Sequence, residues 1–323
     1  MSIRNLLPSA WAGTLIAHVM PWFSNVPGMV GHRAGQNYTS NDPAVVSAQL
    51  DAMLAQGITA VNLDVRGVKF KEPIIDLTAR EFFKQVPGKG MKACFCLDDK
   101  SNDSTTAMLA MLAGYEQPYF NNPAYLKDKN GKLVVLEFGL DQVDWNTVSA
   151  RFPQCHFIHW KDDKLNGFAW LRASMGSAAI AQMVKENQEV YMPAVSIGFD
   201  DHNPKSPKQS IWGGPARLVP YASGQTLATI CKSVQVGAEF VLVQTWNDIE
   251  EGTDVERNLR PNGLTPHDLG TVLAVSPAVP TAATIQASIR VVGTLASGAH
   301  TFSTTATGAN GQVWLAQVTI TVP

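Results

Sequence analysis

Short apolar runs alternate with stretches of helical spacing along most of this chain. "GTLIAHVM" (13–20) predicts a first strand. "DPAVVSAQLDAMLAQG" (42–57) predicts a helix, with Asp before Pro at its start and Gly at its end. Further strands are predicted at "ITAVNLDV" (58–65), "MKACFCLDD" (91–99), "KLVVLEFG" (132–139) and "QCHFIHW" (154–160). The helices between them fall in "DLTAREFFKQV" (76–86), "SNDSTTAMLAMLAGY" and "LDQVDWNTVSARF". "GFAWLR" (167–172), "VYMPAVSIGF" (190–199) and "AEFVLVQTW" (238–246) bring the strands to eight, with "SMGSAAIAQMVKENQE" and "SGQTLATICKSVQVG" as the remaining helices.

Such alternation implies parallel strands covered by helices. Eight units over roughly 250 residues predict an α/β fold, a (β/α)8 TIM barrel, over residues 1–274. A doubly wound open sheet is the alternative, but no Gly-x-Gly-x-x-Gly or Walker loop follows the first strand, so nothing points to a nucleotide. From about Val275 the chain turns rich in Thr, Ala, Gly and Val, with alternating runs between Gly-containing turns. Residues 275–323 are expected to form a small antiparallel β appendage of three strands.

Composition narrows the picture. Of 323 residues 45% are hydrophobic and 16% charged, which describes a globular protein. Net charge is −2 with no basic run, so nucleic acid is not an expected partner. No run is long and apolar enough for a membrane span, and the N-terminal stretch lacks the pattern of a signal peptide. Four cysteines are too few for a disulfide framework; Cys94 and Cys96, two apart in a strand, read as buried free thiols.

In parallel α/β folds the working residues collect where the strands end. The first strand carries or leads into His18, Trp22 and Phe23; the second ends at Asp64 and Arg66, the third at Asp98 and Asp99. Glu137 lies in the fourth, His159 and Trp160 close the fifth, and Asp200, Asp201 and His202 follow the seventh. The eighth runs into "QTWNDIEEGTDVE" (244–256), with Trp246, Asn247, Asp248 and Glu251. Acids interleaved with indoles suit a sugar, held by aromatic faces and carboxylate hydrogen bonds. Paired acids suit glycosidic bond cleavage, in which one carboxyl donates a proton and another acts as base or nucleophile. Asp248 and Glu251 are the candidate pair. Three residues reach at most about 10 Å, so both the retaining and the inverting separation stay open.

"TWNDIEEGTDVE" resembles the segment that closes the barrel in glycoside hydrolase families 71 and 99, the α-1,3-glucanases and endo-α-mannosidases. "LIAHVMPWFSN", "YLKDKNGKLVVLEFG" and "SIGFDD" are similar to other strand regions of these families, and the likeness spans roughly residues 13–256. It implies a barrel without an organic cofactor, acting on an α-linked poly- or oligosaccharide, with Asp248 and Glu251 as the catalytic acids. In the mannosidase family the first acid assists attack by the sugar's own 2-hydroxyl and the second serves as acid and base. The shorter Asp248 agrees with the glucanase pattern, and the resemblance thus implies Glu251 as general acid and Asp248 as base or nucleophile-assisting group.

Each candidate has a plainer reading. Asp64 and Arg66 could be a structural ion pair, Asp98 and Asp99 a helix cap, and His18 a hydrogen-bonded core residue. Glu250, Asp254 and Glu256 read as rim or supporting acids. Trp22, Trp160, Trp212 and Trp246 are candidate sugar platforms, whereas Trp145 and Trp170 read as packing and Trp314 belongs to the appendage. A rival enzyme would use His18, Asp64, Asp98, Asp99, Asp200, Asp201 and His202 as metal ligands, although no His-x-His or His-Glu-x-x-His pattern organises them. A third reading is a non-catalytic glycan-binding module, of the kind a virion carries.

Overall fold

The computed structural model describes residues 2–23, 38–66, 73–98, 104–160, 164–203, 206–210, 214–219, 224–248, Glu251, Thr253 and Val255, together with the backbone of 298–307 and 313–322. Contacts divide the chain into two units, Met1–Ala274 and Val275–Pro323.

In the first unit seven parallel strands form one curled sheet: β1 (Thr14–Val19), β2 (Ala60–Val65), β3 (Lys92–Leu97), β4 (Leu133–Glu137), β5 (Cys155–His159), β6 (Ala194–Ser196) and β11 (Phe240–Gln244). Their order across the sheet is β5-β4-β3-β2-β1-β11-β6. β2 and β11 are buried at every position, as expected of parallel strands covered on both faces. Helices α1 (Pro43–Ala55), α2 (Pro73–Gln85), α3 (Thr105–Tyr115), α4 (Trp145–Arg151), α5 (Ala179–Glu186) and α6 (Gly224–Lys232) alternate with the strands. Two minor antiparallel pairs follow β6. One joins β7 (Phe199–Asp200) to β10 (Leu218–Val219), the other β8 (His202–Asn203) to β9 (Ser206–Ser210).

Local chemistry sets the element ends. Asp42 accepts from Ala44 N at 2.8 Å and Pro43 opens α1. Asp144 accepts from the N–H groups of Asn146 and Thr147 to start α4. Gly13, just before β1, has no room for a side chain, since a Cβ would lie 2.5 Å from Glu239 O. That close approach lets Thr14 N reach Glu239 O at 2.9 Å and seats β1 beside β11. Under α2 and α3, Phe83, Phe95, Tyr115, Tyr119 and Tyr125 pack ring against ring, with centroids 4.8 to 6.0 Å apart in the contacting pairs.

The sixth predicted strand differs from expectation. Residues 167–168 make only isolated bridges, Gly167 to His159 of β5 and Phe168 to Met192 just before β6. Ala169 N still donates to Met192 O at 3.0 Å, and from there the Gln244 side chain replaces the backbone ladder. Its Nε2 donates to Ala169 O (2.6 Å) and its Oε1 accepts from Leu171 N (2.9 Å). An amide side chain carries the same donor and acceptor as a peptide group, so the buried backbone polar groups there stay paired.

In the second unit β12 (Gly298–Thr307) and β13 (Val313–Val322) pair antiparallel from Gly298↔Val322 to Thr307↔Val313. The third strand expected in the appendage lies outside the described residues.

Candidate active site

All seven strands point their carboxyl ends the same way, and a cleft of about 320 Å³ opens there. Each strand contributes in turn. β1 supplies His18 and leads to Met20 and Trp22; β2 supplies Asp64 and Arg66; β3 leads to Asp98. Phe138 follows β4, Trp160 follows β5, and Trp170 and Arg172 follow the bridging segment. Phe199 and Arg217 come from the small β7–β10 pair, and Asp248 and Glu251 from the turn after β11.

That turn is bound on every side. Trp246 N donates to His18 O at 2.6 Å, and Thr245 N donates to Thr253 O at 3.0 Å. The hydroxyls of Thr245 and Thr253 meet at 2.7 Å, and Thr245 Oγ1 accepts from Asp248 N at 3.0 Å. Asp248 Oδ1 accepts from Glu251 N at 3.1 Å, tying the two acids together. Asp248 is 5% exposed, whereas the Glu251 side chain is 24% exposed.

At the floor a buried polar line crosses three strands. Cys94 Sγ donates to Asn62 Oδ1 (3.5 Å), and Asn62 Nδ2 donates to His18 Nδ1 (2.9 Å). His18 Nε2 therefore carries the ring hydrogen and donates to Asp64 Oδ2 at 3.2 Å. Asp64 Oδ1 is buried with no hydrogen-bond partner among the described residues. Cys96, beneath Asp64, Asp98 and Glu137, has its thiol pushed well up, first by burial and then by those negative neighbours.

Aromatic rings form one wall. Phe138 and Trp160 stack face to face, 4.3 Å apart and 3° from parallel. Trp170 meets Phe138 edge-on at 4.8 Å and His18 at 5.1 Å. Three arginines complete the lining. Arg66 lies over the Trp22 ring at 4.1 Å and 3.9 Å from Asp98 Oδ2. Arg172 Nε donates to the buried Glu186 Oε1 at 2.6 Å. Arg217 Nε and Nη2 lie 2.8 and 2.7 Å from Asp201 Oδ2.

The structure thus gathers His18, Trp22, Asp64, Arg66, Asp98, Trp160, Asp248 and Glu251 around one space. Six other candidates stand behind the lining. Glu137 accepts from His159 Nδ1 (2.8 Å) and Leu140 N (3.0 Å), so these two hold each other. Asn247 grips the backbone beyond β1, accepting from Met20 N (2.7 Å) and donating to Met20 O (3.0 Å). Trp246 is buried, Asp201 is fully buried against Arg217, and Asp200 reaches Glu251 through its backbone, its N donating to Glu251 O at 2.7 Å. Asp99, Trp212, Glu250, Asp254 and Glu256 lie outside the described residues, as does the His202 side chain.

Arg172, Arg217, Phe138 and Trp170 are the lining groups that sequence reasoning passed over or read as packing. Phe138 and Trp170 fall inside the predicted strands 132–139 and 167–172; only because β4 ends at Glu137 and the bridges stop at Phe168 do they lie past an extended segment. Among the described residues no three His, Cys, Asp or Glu side chains converge as metal ligands do, and no helix is long and apolar enough to cross a membrane.

These features define a barrel-like α/β protein with an acid- and aromatic-lined cleft at the carboxyl ends of its parallel strands. Among the solved structures similar to it are three that cover most of the chain. Two are of the GH99 endo-alpha-mannosidase from Bacteroides thetaiotaomicron, one in complex with bis-tris-propane; they match at TM-scores of 0.57 and, for the complex, 0.56. Both are 14% identical over 77% of this chain and 88% of theirs. The third, a glycoside hydrolase-like protein, matches at TM-score 0.58 and 12% identity over 82% of this chain and 95% of its own. No protein-family model and no curated protein matches the chain.

Proposed function

We propose that the chain is a glycoside hydrolase that cleaves α-linked bonds in a poly- or oligosaccharide, with residues 1–274 as the catalytic barrel. The observation that carries this reading is the placement of Asp248 and Glu251 on one tightly bound turn, facing the same cleft as the Phe138–Trp160–Trp170 wall. The glycoside hydrolase fold of the structural neighbours supports it. The aromatic wall offers apolar ring faces to a pyranose, while the acids and arginines offer hydrogen bonds to its hydroxyls.

In this reading Glu251, the more exposed acid, donates a proton to the leaving oxygen. Asp248, buried and oriented by the Glu251 N–H, acts as base or assists the nucleophile. Asp64, with one oxygen held by His18, accepts a substrate hydroxyl. No cofactor is needed for this chemistry.

The test is a panel of α-glucans, α-mannans and capsular polysaccharides, with released reducing ends measured for wild type, Glu251→Gln and Asp248→Asn. Wild type is expected to hydrolyse at least one polymer, and each variant to lose about 10²–10⁴-fold in rate. Binding without release of reducing ends from any polymer would support the non-catalytic glycan module instead. Activity abolished by chelation yet intact in Asp248→Asn would support the metal-dependent rival.

A further inference from the structure

The residues flanking the β7–β10 pair carry a polar device that substrate contact does not explain. Asp201 is fully buried, and its two oxygens receive four donors. Oδ1 accepts from Arg217 N at 2.7 Å; Oδ2 accepts from Ser210 Oγ at 2.7 Å and from Arg217 Nε at 2.8 Å, with Arg217 Nη2 also 2.7 Å away. A buried carboxylate needs partners, and Ser210, the backbone and one guanidinium edge supply them. Yet the same Nη2 reaches onward to 4.0 Å from Glu251 Oε1. Nη2 thus lies between the two carboxylates, in direct contact with Asp201 and at ion-pair distance from Glu251.

The rest of the pair is built to keep that amine in place. The Arg217 guanidinium lies over the Phe199 ring at 5.0 Å, which covers one of its faces. Leu218 pairs with Asp200 in the β10–β7 register, and Asp200 N donates to Glu251 O at 2.7 Å. The pair thus touches Glu251 twice, by backbone through residue 200 and by charge through residue 217.

We infer that Arg217 is a positioning residue for Glu251: anchored from behind by Asp201, it fixes the Glu251 carboxyl and stabilises its ionised form. This rests on the proposed role of Glu251 as proton donor and deepens it. A donor that must release its proton in the transition state gains from a cation waiting at 4 Å. A cation with no counter-charge would stabilise the carboxylate in the resting state as well. Asp201 moderates that effect, so the pair sets the acidity of Glu251 between two limits. Among the described residues, the other charged groups around the cleft are Asp248 on the same turn, Asp64 and Arg66 from β2, Asp98 after β3 and Arg172 after the bridging segment, with the His18 imidazole on β1. None of these is altered by changes at 201 or 217.

The prediction is a pair of shifts of opposite sign. Protein labelled with ¹³C at the glutamate side-chain carboxyl is titrated by NMR, and the Glu251 resonance is assigned by its loss in Glu251→Gln. Arg217→Gln is expected to raise the Glu251 titration midpoint by about 1 pH unit, the lower end of what a nearby opposite charge does, because both side chains are partly open to water. Arg217→Lys, which keeps the charge but loses the fork, should fall between that variant and wild type. Asp201→Asn leaves the arginine without its counter-charge and should lower the midpoint. On a hydrolysed substrate the alkaline limb of kcat/KM should move in the same directions.

Circular dichroism verifies the folded state of each variant. If Asp201→Asn does not fold, the glutamine and lysine variants at 217 decide. An unchanged midpoint in Arg217→Gln, or shifts of the same sign in Arg217→Gln and Asp201→Asn, would overturn the inference. Because the NMR titration needs no substrate, a failed polysaccharide panel overturns the proposed function alone. A flat titration in an active enzyme overturns the role of Arg217 alone.

Discussion

Asn247 stands beside the proposed catalytic Asp248, and its position alone suggests a residue that touches sugar. Its surroundings predict otherwise. The side chain is 1% exposed, and both ends of its amide are spent on Met20, whose N–H and C=O are themselves buried. Replacing Asn247 by Leu keeps the volume close and removes both partners. Each buried backbone group left unpaired costs about 1–3 kcal/mol, so the two together should cost about 2–6 kcal/mol. Against a typical stability of about 5–15 kcal/mol, that is a large fraction. Asn247→Asp keeps the acceptor for Met20 N but sets an oxygen against Met20 O, and should fall between Leu and wild type. The assay is urea unfolding, where the midpoint should drop at constant slope. KM on a hydrolysed polysaccharide should change little, because the side chain does not reach the cleft. A stability loss under about 1 kcal/mol, combined with a large rise in KM, would refute the reasoning and return Asn247 to the substrate.

Trp160→Ala removes one half of the stacked pair with Phe138, and KM should rise about five- to tenfold, the equivalent of about 1–1.4 kcal/mol of ring contact; an unchanged KM would place the sugar elsewhere. The Asp128 carboxyl is pushed up by burial, but hydrogen bonds from Lys132 N and Asn130 N and the nearby His156 outweigh this and leave it below its ordinary value. A depressed folded-state value adds stability above the ordinary carboxylate range, which disappears as pH falls through the lower folded value. Wild type should thus be more stable than Asp128→Asn at pH 7, with the difference shrinking below about pH 4 in denaturant titrations at several pH values. All four cysteines are buried and free, and burial pushes the thiols of Cys155 and Cys231 up to about 12. Ellman's reagent at pH 8 should label none of them until denaturant is added.

The regular part of this fold was legible because its signals are local. Apolar runs such as "KLVVLEFG" and capped stretches such as "DPAVVSAQLDAMLAQG" lie within a residue or three of β4 and α1 at each end. "GFAWLR" misled because an apolar run gives no sign of whether a neighbouring strand or a side chain will take up its hydrogen bonds; here Gln244, more than seventy positions away in sequence, does so. The site divides in the same way. Groups on or just past strands, from His18 to Glu251, were found by position. Asp201 and Asn247 met the same rule yet face away from the cleft, because spacing does not report which side of a turn is buried. Arg217 had no periodic or motif signal, since it lies just before the two-residue strand β10 and is held by the distant Asp201.

Gln244 has a consequence for how closely the chain can crowd a ligand. A residue run kept in a regular ladder alternates its side chains between two faces, so at most every second one can look into a cleft. Because the amide of Gln244 satisfies Ala169 and Leu171 from the side, the chain beyond Phe168 is released from that alternation. Five consecutive residues, Trp170 to Ser174, then border the cleft. This stretch offers more adjustable contact per unit length than any strand end around it. On the proposed function, it is the segment in which a change of preferred sugar could be written with the fewest substitutions, leaving the parallel sheet untouched.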